Sequence, residues 1–255
     1  MPEDVKKIIV LGFQVSNPGN LLEGAKEKRL PALGRILREG AWVSGLTSQA
    51  SSAGRLATLL TAASPETHGV NTSGDPSRAE YVWEAIQRSS KKTALFGLKI
   101  ERPPASTQIA PDPSSISSYL RTNPDWDLCF VFLPGTTAGE SSPEEAVDRA
   151  VSEILSVADP ETLFVAVGLT ASGIDGFVVM TGPGIRQGNS VRRNTRLEDV
   201  VPTLCYLGEL SIPAECEGGV IYQALEDPDM KIKELRSCRR NYERLKRSSG
   251  PSAMC

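Results

Sequence analysis

Apolar runs alternate with amphipathic segments along most of the chain. Continuous runs rich in β-branched residues are typical of strands that are buried on both faces of a sheet. Five such runs occur, at residues 7–13, 92–97, 127–134, 162–168 and 176–182. Trp42 and Val43 open a further strand. Apolar residues recur at helical spacing at 30–37, 56–61, 81–88, 143–157 and 197–207. Strands that alternate with helices predict an α/β fold, with a mostly parallel central sheet and helices on both faces.

Prolines mark the ends of several of these helices. Pro31 stands near the first turn of one helix, and Pro143 follows the cap residue Ser142 at the start of another. Pro202 falls inside the helix predicted at 197–207, so it should kink that helix or lie close to its start.

The whole chain, 1–255, has the length and apolar content of a single α/β domain. Residues 101–118 include four prolines and predict an irregular connection, either a surface excursion or the remnant of an inserted subdomain. Residues 228–255 form a charged C-terminal segment and a tail: charged residues recur through 229–247, which predicts a solvated helix with a frayed end.

Composition limits the partners. The net charge is −3 and the isoelectric point is about 5.4, which gives no electrostatic basis for binding nucleic acid or an anionic membrane. No apolar run approaches the roughly 20 residues that span a bilayer, and the first residues lack the apolar core of a signal peptide. The five cysteines have no close pair, so we expect reduced thiols and a cytoplasmic location.

One segment stands out for its chemistry. A loop rich in Ser, Ala and Gly at residues 48–54 leads directly into the apolar helix predicted at 56–61, and a Pro-Glu-Thr-His-Gly-Val run follows at 65–70. A hydroxyl at such a junction lies near unpaired backbone N–H groups and the positive end of the helix dipole. That position suits an anion or a nucleophile, although most serines there only cap the helix.

This segment resembles the nucleophile segment of the alkaline phosphatase superfamily, in the branch of type I phosphodiesterases, nucleotide pyrophosphatases and related phosphomutases. In that branch a Thr or Ser precedes a short helix that ends in Leu-Leu-Thr-Gly and is followed by Pro-Glu-x-His-Gly-Val. The resemblance places Ser52 at the nucleophile position and implies an alkaline phosphatase-like three-layer sandwich. Further segments are similar in order and spacing, at 39–42, 127–134, 159–164, 180–186 and 196–204.

The resemblance also implies that this chain has lost metal ligands of the family. Active members use two divalent metals such as Zn or Mn, held by Asp and His ligands. Gln14 stands where the family has a ligand Asp, and residues 137–140 (Thr-Ala-Gly-Glu) and 168–171 (Gly-Leu-Thr-Ala) replace two further ligand runs. The single histidine, His68, matches the His-Gly-Val run, which does not bind metal in the family. We therefore expect that the metal ligands are not retained and that there is no metal cofactor.

These observations predict a non-catalytic, degenerate member of this superfamily that acts as a binding or regulatory protein. Ser52 keeps the catalytic position. The residues predicted to bind a ligand are Gln14, Asn17, Ser51, Arg55 and Arg186. The expected partners are a small-molecule or phosphate-containing ligand, and a protein partner or a second copy of the chain. The segment at 101–118 is all that corresponds to the family's cap, so the pocket should be shallow or open.

Two alternatives stay open. The first is an enzyme, a metal-dependent phosphoesterase of the phosphodiesterase or nucleotide pyrophosphatase type, with Ser52 as nucleophile. A lone metal in it would be held by loop acids such as Asp112, Glu140 or Asp175. The second is an unrelated doubly wound small-molecule binder, which is disfavoured because the chain has no Gly-x-Gly-x-x-Gly or Walker-type loop.

Overall fold

The computed structural model describes residues 5–15, 17–72, 74–98, 109–110, 116–133, 142–170, 176–191 and 194–229. Over these residues the chain forms one sheet with helices packed on both faces. The strands are β1 (Lys7–Val15), β2 (Ala41–Thr47), β3 (Thr93–Phe96), β4 (Ile109–Ala110), β5 (Leu128–Leu133), β6 (Thr162–Thr170), β7 (Gly176–Thr181), β8 (Asn189–Ser190) and β9 (Thr195–Arg196). Each of the strands predicted from an apolar run is present.

The sheet is mostly parallel. Its described strands run in the order β4-β3-β5-β1-β6-β7-β2-β8, and β9 pairs with β2. β7 is antiparallel to both β6 and β2, whereas every other pairing is parallel. The predicted α/β class with a mostly parallel sheet is therefore confirmed.

The described helices are α1 (Pro18–Lys26), α2 (Pro31–Glu39), α3 (Gly54–Thr61), α4 (Pro65–His68), α5 (Val82–Gln87), α6 (Ile116–Thr122), α7 (Pro143–Leu155) and α8 (Val200–Gly208). The helix predicted at 197–207 is in fact a 3-10 turn, Leu197–Asp199, followed by α8. Pro202 is the third residue of α8, where an N–H group has no intrahelical partner, so the proline is accommodated near the start. The first helix, α1, was not predicted.

Two apolar layers hold the helices against the sheet. Because side chains alternate along a strand, Ile8 and Val10 of β1 face one layer, while Ile9 and Leu11 face the other. The first layer includes buried residues of α3, α5 and α8. The second includes buried residues of α1, α2 and α7. Burial on both faces explains why the central strands are continuously apolar in sequence.

The ends of the parallel strands define the edge that matters for function. Gln14 of β1 lies opposite Leu169 of β6, so both strands end at the same side of the sheet. β2 runs in the same direction as β6 because both are antiparallel to β7 between them, so Thr47 ends there as well. We call this side the carboxyl edge. Ligands of open α/β sheets bind outside such an edge.

The segment at 101–118 includes regular structure where it is described. Ile109 and Ala110 form β4, which pairs with β3, and α6 begins at Ile116. The rest of that segment lies outside the described residues, as does the charged terminal stretch beyond Asp229.

The thiols of Cys129, Cys205 and Cys216 are free, and the first two are buried. Burial raises the pKa of Cys205 to about 12 and also raises the pKa of Cys129. Within the part of the chain that the structure describes, no helix is both long enough and apolar enough to cross a bilayer.

Candidate functional site

Two neighbouring serines precede α3, and the structure gives them different surroundings. The Ser51 hydroxyl accepts a hydrogen bond from the Gly54 N–H at 3.1 Å and donates one to the Asn71 carbonyl oxygen at 2.8 Å. Ser52 is exposed, and its hydroxyl forms no hydrogen bond with another described residue. Ser51 thus caps the helix, while the hydroxyl at the predicted nucleophile position is open to solvent.

The buried side chain of Arg55 fixes this loop to the sheet. Its Nη1 donates to the Thr170 carbonyl oxygen at 2.6 Å and also to the Thr170 hydroxyl, and its Nε donates to the Ala50 carbonyl oxygen at 3.4 Å. Only 6% of Arg55 is exposed. The structure therefore gives Arg55 a positioning role, and ligand binding by Arg55 stays a prediction.

The same contact brings the Ser52 loop to the carboxyl edge beside β1. Thr170 is the last residue of β6 and pairs with Val15 of β1, next to Gln14. Because Arg55 binds Thr170, the start of α3 lies at the edge where β1 also ends. Gln14 is exposed there. The structure thus brings Gln14 and the serine loop to one edge, as the sequence predicts.

Asn17 follows the end of β1 and caps α1. Its Oδ1 accepts a hydrogen bond from the Gly19 N–H at 2.8 Å, and Pro18 occupies the first helical position. An Asn followed by a Pro is a helix-start signal, so α1 was detectable in the sequence. Asn17 therefore has a structural task near the carboxyl edge, and ligand binding by it stays a prediction.

Arg186 lies at the opposite edge of the sheet. β7 is antiparallel to β6, with Thr181 opposite Phe164, so the loop after β7 begins beside the amino end of β6. The nine residues of β6 span roughly 26 Å at a strand's usual rise. The Arg186 N–H bonds the Ala224 carbonyl oxygen at 2.9 Å at that end. The structure does not bring Arg186 to Ser52, and ligand binding by Arg186 at its own edge stays a prediction.

His68 is fully buried and both of its ring nitrogens are engaged. Nδ1 accepts a hydrogen bond from the Val70 N–H at 3.0 Å, so the proton of the neutral ring is on Nε2, which lies 2.9 Å from the Thr58 hydroxyl. Burial lowers the pKa of His68. Gly69 follows in a left-handed conformation, with φ 75°, and ends α4. His68 is therefore a neutral structural residue that joins α4 to α3.

Several solved structures superpose on most of this chain. No protein-family model matches the sequence, and no curated protein matches it significantly. A 2-O GAG sulfatase superposes with a TM-score of 0.65 at 15% identity, over 87% of this chain and 74% of that one. A phosphonate monoester hydrolase of Agrobacterium radiobacter gives 0.63 at 15% identity, over 87% and 77%. A Vibrio parahaemolyticus protein of the alkaline phosphatase superfamily gives 0.59 at 12% identity, over 86% and 70%.

The chain has the alkaline phosphatase-like fold. The expected three-layer sandwich is thereby confirmed. Identities of 12–15% show the fold alone, so the activities of these proteins do not transfer to this chain. The type I phosphodiesterase branch stays a prediction.

The described ends of β1 and β6 do not carry the ligand types that a pair of divalent metals takes, and loss of the remaining metal ligands stays a prediction. At the carboxyl edge, β1 offers the amide of Gln14, and β6 offers Leu169 and the hydroxyl of Thr170, whereas such metals take carboxylate and imidazole ligands. No group of three or more His, Cys, Asp or Glu side chains among the described residues is arranged to hold a metal ion. The loop acids Asp112, Glu140 and Asp175 lie outside the described residues.

One buried carboxyl group was not predicted. Glu198 belongs to the 3-10 turn that packs against α3, and only 4% of it is exposed. Its Oε2 has no hydrogen-bond partner among the described residues, and burial raises its pKa. In sequence the Leu-Glu-Asp run resembles an acidic, solvated helix start, so no pattern distinguishes Glu198 from an exposed residue.

Proposed function

We propose that this chain is a non-catalytic protein of the phosphodiesterase branch that acts as a binding or regulatory protein. Its ligand is a small molecule that carries a phosphate or a similar anion, bound at the Ser52 loop without hydrolysis. The observation that carries the proposal is the neutral amide of Gln14, at the same sheet edge as Ser52, where the resemblance places a metal-binding carboxylate. His68, the only histidine in the sequence, cannot replace that ligand, because its two ring nitrogens are occupied inside the fold.

A serine hydroxyl becomes a nucleophile only beside a base or a metal. His68 has no free nitrogen for that task. The guanidinium of Arg55 is always protonated and therefore cannot take a proton. Gln14 and Thr170, at the same edge, carry an amide and a hydroxyl, neither of which is a base at neutral pH. No described carboxylate is hydrogen-bonded to the Ser52 hydroxyl. The Ser52 hydroxyl therefore serves as a hydrogen-bonding group in this proposal.

The start of α3 offers groups that suit an anion. Ser51 already satisfies the N–H groups of Gly54, through its hydroxyl, and of Arg55, through its carbonyl oxygen at 3.0 Å. The N–H groups of Ser52 and Ala53 form no hydrogen bond with a described residue. These two donors, the Ser52 hydroxyl and the positive end of the α3 dipole favour an anionic group at this loop.

The neutral side chain of Gln14 supports the same conclusion. A carboxylate at this position would repel a phosphate about 4 Å away by roughly 1 kcal/mol in water and about 4 kcal/mol near a protein surface. In a metal enzyme the bound ions offset that repulsion. An amide removes it without a metal, and it also supplies two N–H donors.

One observation favours the alternative, a metal-dependent phosphoesterase with Ser52 as nucleophile. The Ser52 hydroxyl is exposed and unbonded within the described part of the chain, as an attacking group must be. Such an enzyme would have to draw its metal ligands from acids such as Glu140 or Asp175.

The test is a calorimetric titration of the purified protein with inorganic phosphate, without added metal, together with measurement of its metal content. We expect binding that weakens about tenfold in Ser52→Ala, since a hydrogen bond to a charged group contributes about 1.5–3 kcal/mol. Arg186→Gln, at the opposite edge, is the matched control and should bind phosphate like the unaltered protein. Absence of phosphate binding, equal loss in both variants, or stoichiometric Zn or Mn would each contradict the proposal.

A further inference from the structure

A concave surface lies on the β2 side of the carboxyl edge, between β9 and the loop at residues 217–223. We call it the β9 groove. Its volume is about 360 Å³, and its wall includes side chains of Thr47, Asn194, Arg196, Asp199 and Gln223, together with the backbone of Gly219. This volume is within the range of small-molecule sites. Residues 48–51 separate Thr47 of the groove from Ser52 along the chain.

The two charged side chains of the groove neutralise each other. Arg196 Nη2 lies 3.5 Å from Asp199 Oδ1 and also donates to the Glu217 carbonyl oxygen at 2.7 Å. The Asp199 carboxylate accepts from the Arg196 N–H at 2.9 Å and from the Gly219 N–H at 2.8 Å. The Asp199 carboxylate would repel an anion, and the Arg196 guanidinium would repel a cation. The groove therefore favours a ligand without net charge.

Three further side chains of the groove, those of Thr47, Asn194 and Gln223, can bond a ligand. The side-chain amides of Asn194 and Gln223 are exposed and form no hydrogen bond with a described residue. Each carries two N–H donors and an accepting oxygen. The Thr47 hydroxyl donates to the Thr195 carbonyl oxygen at 3.2 Å, which leaves its own lone pairs free to accept. A ligand hydroxyl both donates and accepts hydrogen bonds, so side chains that can do both are complementary to it.

From this arrangement we propose that the β9 groove binds a neutral polyhydroxylated ligand, a carbohydrate of one or two sugar units. The size of the groove, its internal charge pairing and its two free amides carry this proposal. It does not depend on the function proposed for Ser52, because none of the groups at the start of α3 lines the groove.

The test is a two-dimensional amide NMR titration of the full chain with D-glucose, maltose and myo-inositol, and with inorganic sulfate as the charged comparison. We expect at least one of the neutral probes to shift resonances of the groove at millimolar concentration, and sulfate to leave them in place. In Asn194→Ala with Gln223→Ala the affinity for that probe should fall about tenfold or more, because two hydrogen-bonding side chains are lost. Ser52→Ala should bind the probe normally.

Three outcomes would overturn the proposal. They are no response to any neutral probe, a groove response to sulfate instead, and sugar binding that survives both amide substitutions. Both substituted residues are exposed, so the variants should fold, and circular dichroism checks this.

Discussion

The two ends of α3 differ in what holds them. Towards the carboxyl-terminal end, Thr58 and His68 are buried and hydrogen-bonded to each other. The Val70 N–H donates a hydrogen bond to the second ring nitrogen of His68. At the amino-terminal end, Ser52 is exposed and has no described partner. One short segment thus contains a closed structural network and an open polar loop.

This difference separates a structural role from a ligand-binding role within the segment at 48–70. The buried half is determined by packing, because an unsatisfied buried donor or acceptor costs about 1–3 kcal/mol. Ser52, in the other half, has no such constraint, so its hydroxyl is free to serve a ligand. Substitutions at the two ends should therefore separate into losses of stability and losses of binding.

The largest expected effect is at the buried end. His68→Ala removes a buried ring and leaves the Thr58 hydroxyl and the Val70 N–H without their partner. We expect the free energy of unfolding to fall by about 3 kcal/mol, from the cavity and the lost hydrogen bonds together. Urea unfolding measures it. A loss below about 1 kcal/mol would contradict the closed network, since that is the size of an ordinary surface or cap change.

The neighbouring serines give a smaller and sharper contrast. Ser51→Ala removes the cap of α3 and the bond to Asn71, and should cost about 1 kcal/mol of unfolding free energy. Ser52→Ala is the matched control in the next residue and should change stability by less than about 0.5 kcal/mol. The same urea unfolding experiment compares them. Equal losses in the two variants would show that the structure assigns the capping hydroxyl incorrectly.

The buried carboxyl group of Glu198, beside α3, should make the stability of the protein depend on pH. Burial raises the pKa of Glu198 in the folded chain above the ordinary 4.5. At a pH between 4.5 and this raised pKa, the folded chain holds a proton that the unfolded chain has lost. Stability then falls as pH rises through that window. Glu198→Gln removes this loss. We expect the variant to be more stable at neutral pH, by less than about 1 kcal/mol, and to lose that advantage below pH 4.5. Equal stability at both pH values would contradict the assignment.

The smallest effect is the pH response of His68. Burial lowers its pKa below the ordinary 6.5, so the unfolded chain binds a proton first as the pH falls. Stability should therefore decline below about pH 6.5, by an amount smaller than the loss in His68→Ala. Thermal unfolding at a series of pH values shows the slope. His68→Asn should lack this component, and an unchanged slope in that variant would assign it to other groups.

The fold class was predictable because central strands are apolar on both faces, and this leaves continuous runs in sequence. Strand direction leaves no such pattern. The sequence therefore did not show that the antiparallel β7 carries the loop of Arg186 to the edge opposite Ser52. The helix α1 was overlooked although Asn17 and Pro18 mark its start.

The site was less predictable than the fold. The exposure of Ser52 at a loop-to-helix junction follows from local sequence. The burial of Arg55 does not, because its partner Thr170 is distant in the chain and meets it only in the folded sheet. The β9 groove has the same origin, since its wall comes from β2, β9 and the loop at 217–223.

The most direct test of the central claim is turnover. Purified protein and Ser52→Ala would be compared with phosphate monoesters, phosphate diesters, phosphonate monoesters and sulfate esters, each with added Mn²⁺ or Zn²⁺. We predict equal background rates for the two proteins on every substrate, because no described group activates the Ser52 hydroxyl. Hydrolysis by the unaltered protein that disappears in Ser52→Ala would contradict the account and establish a working nucleophile.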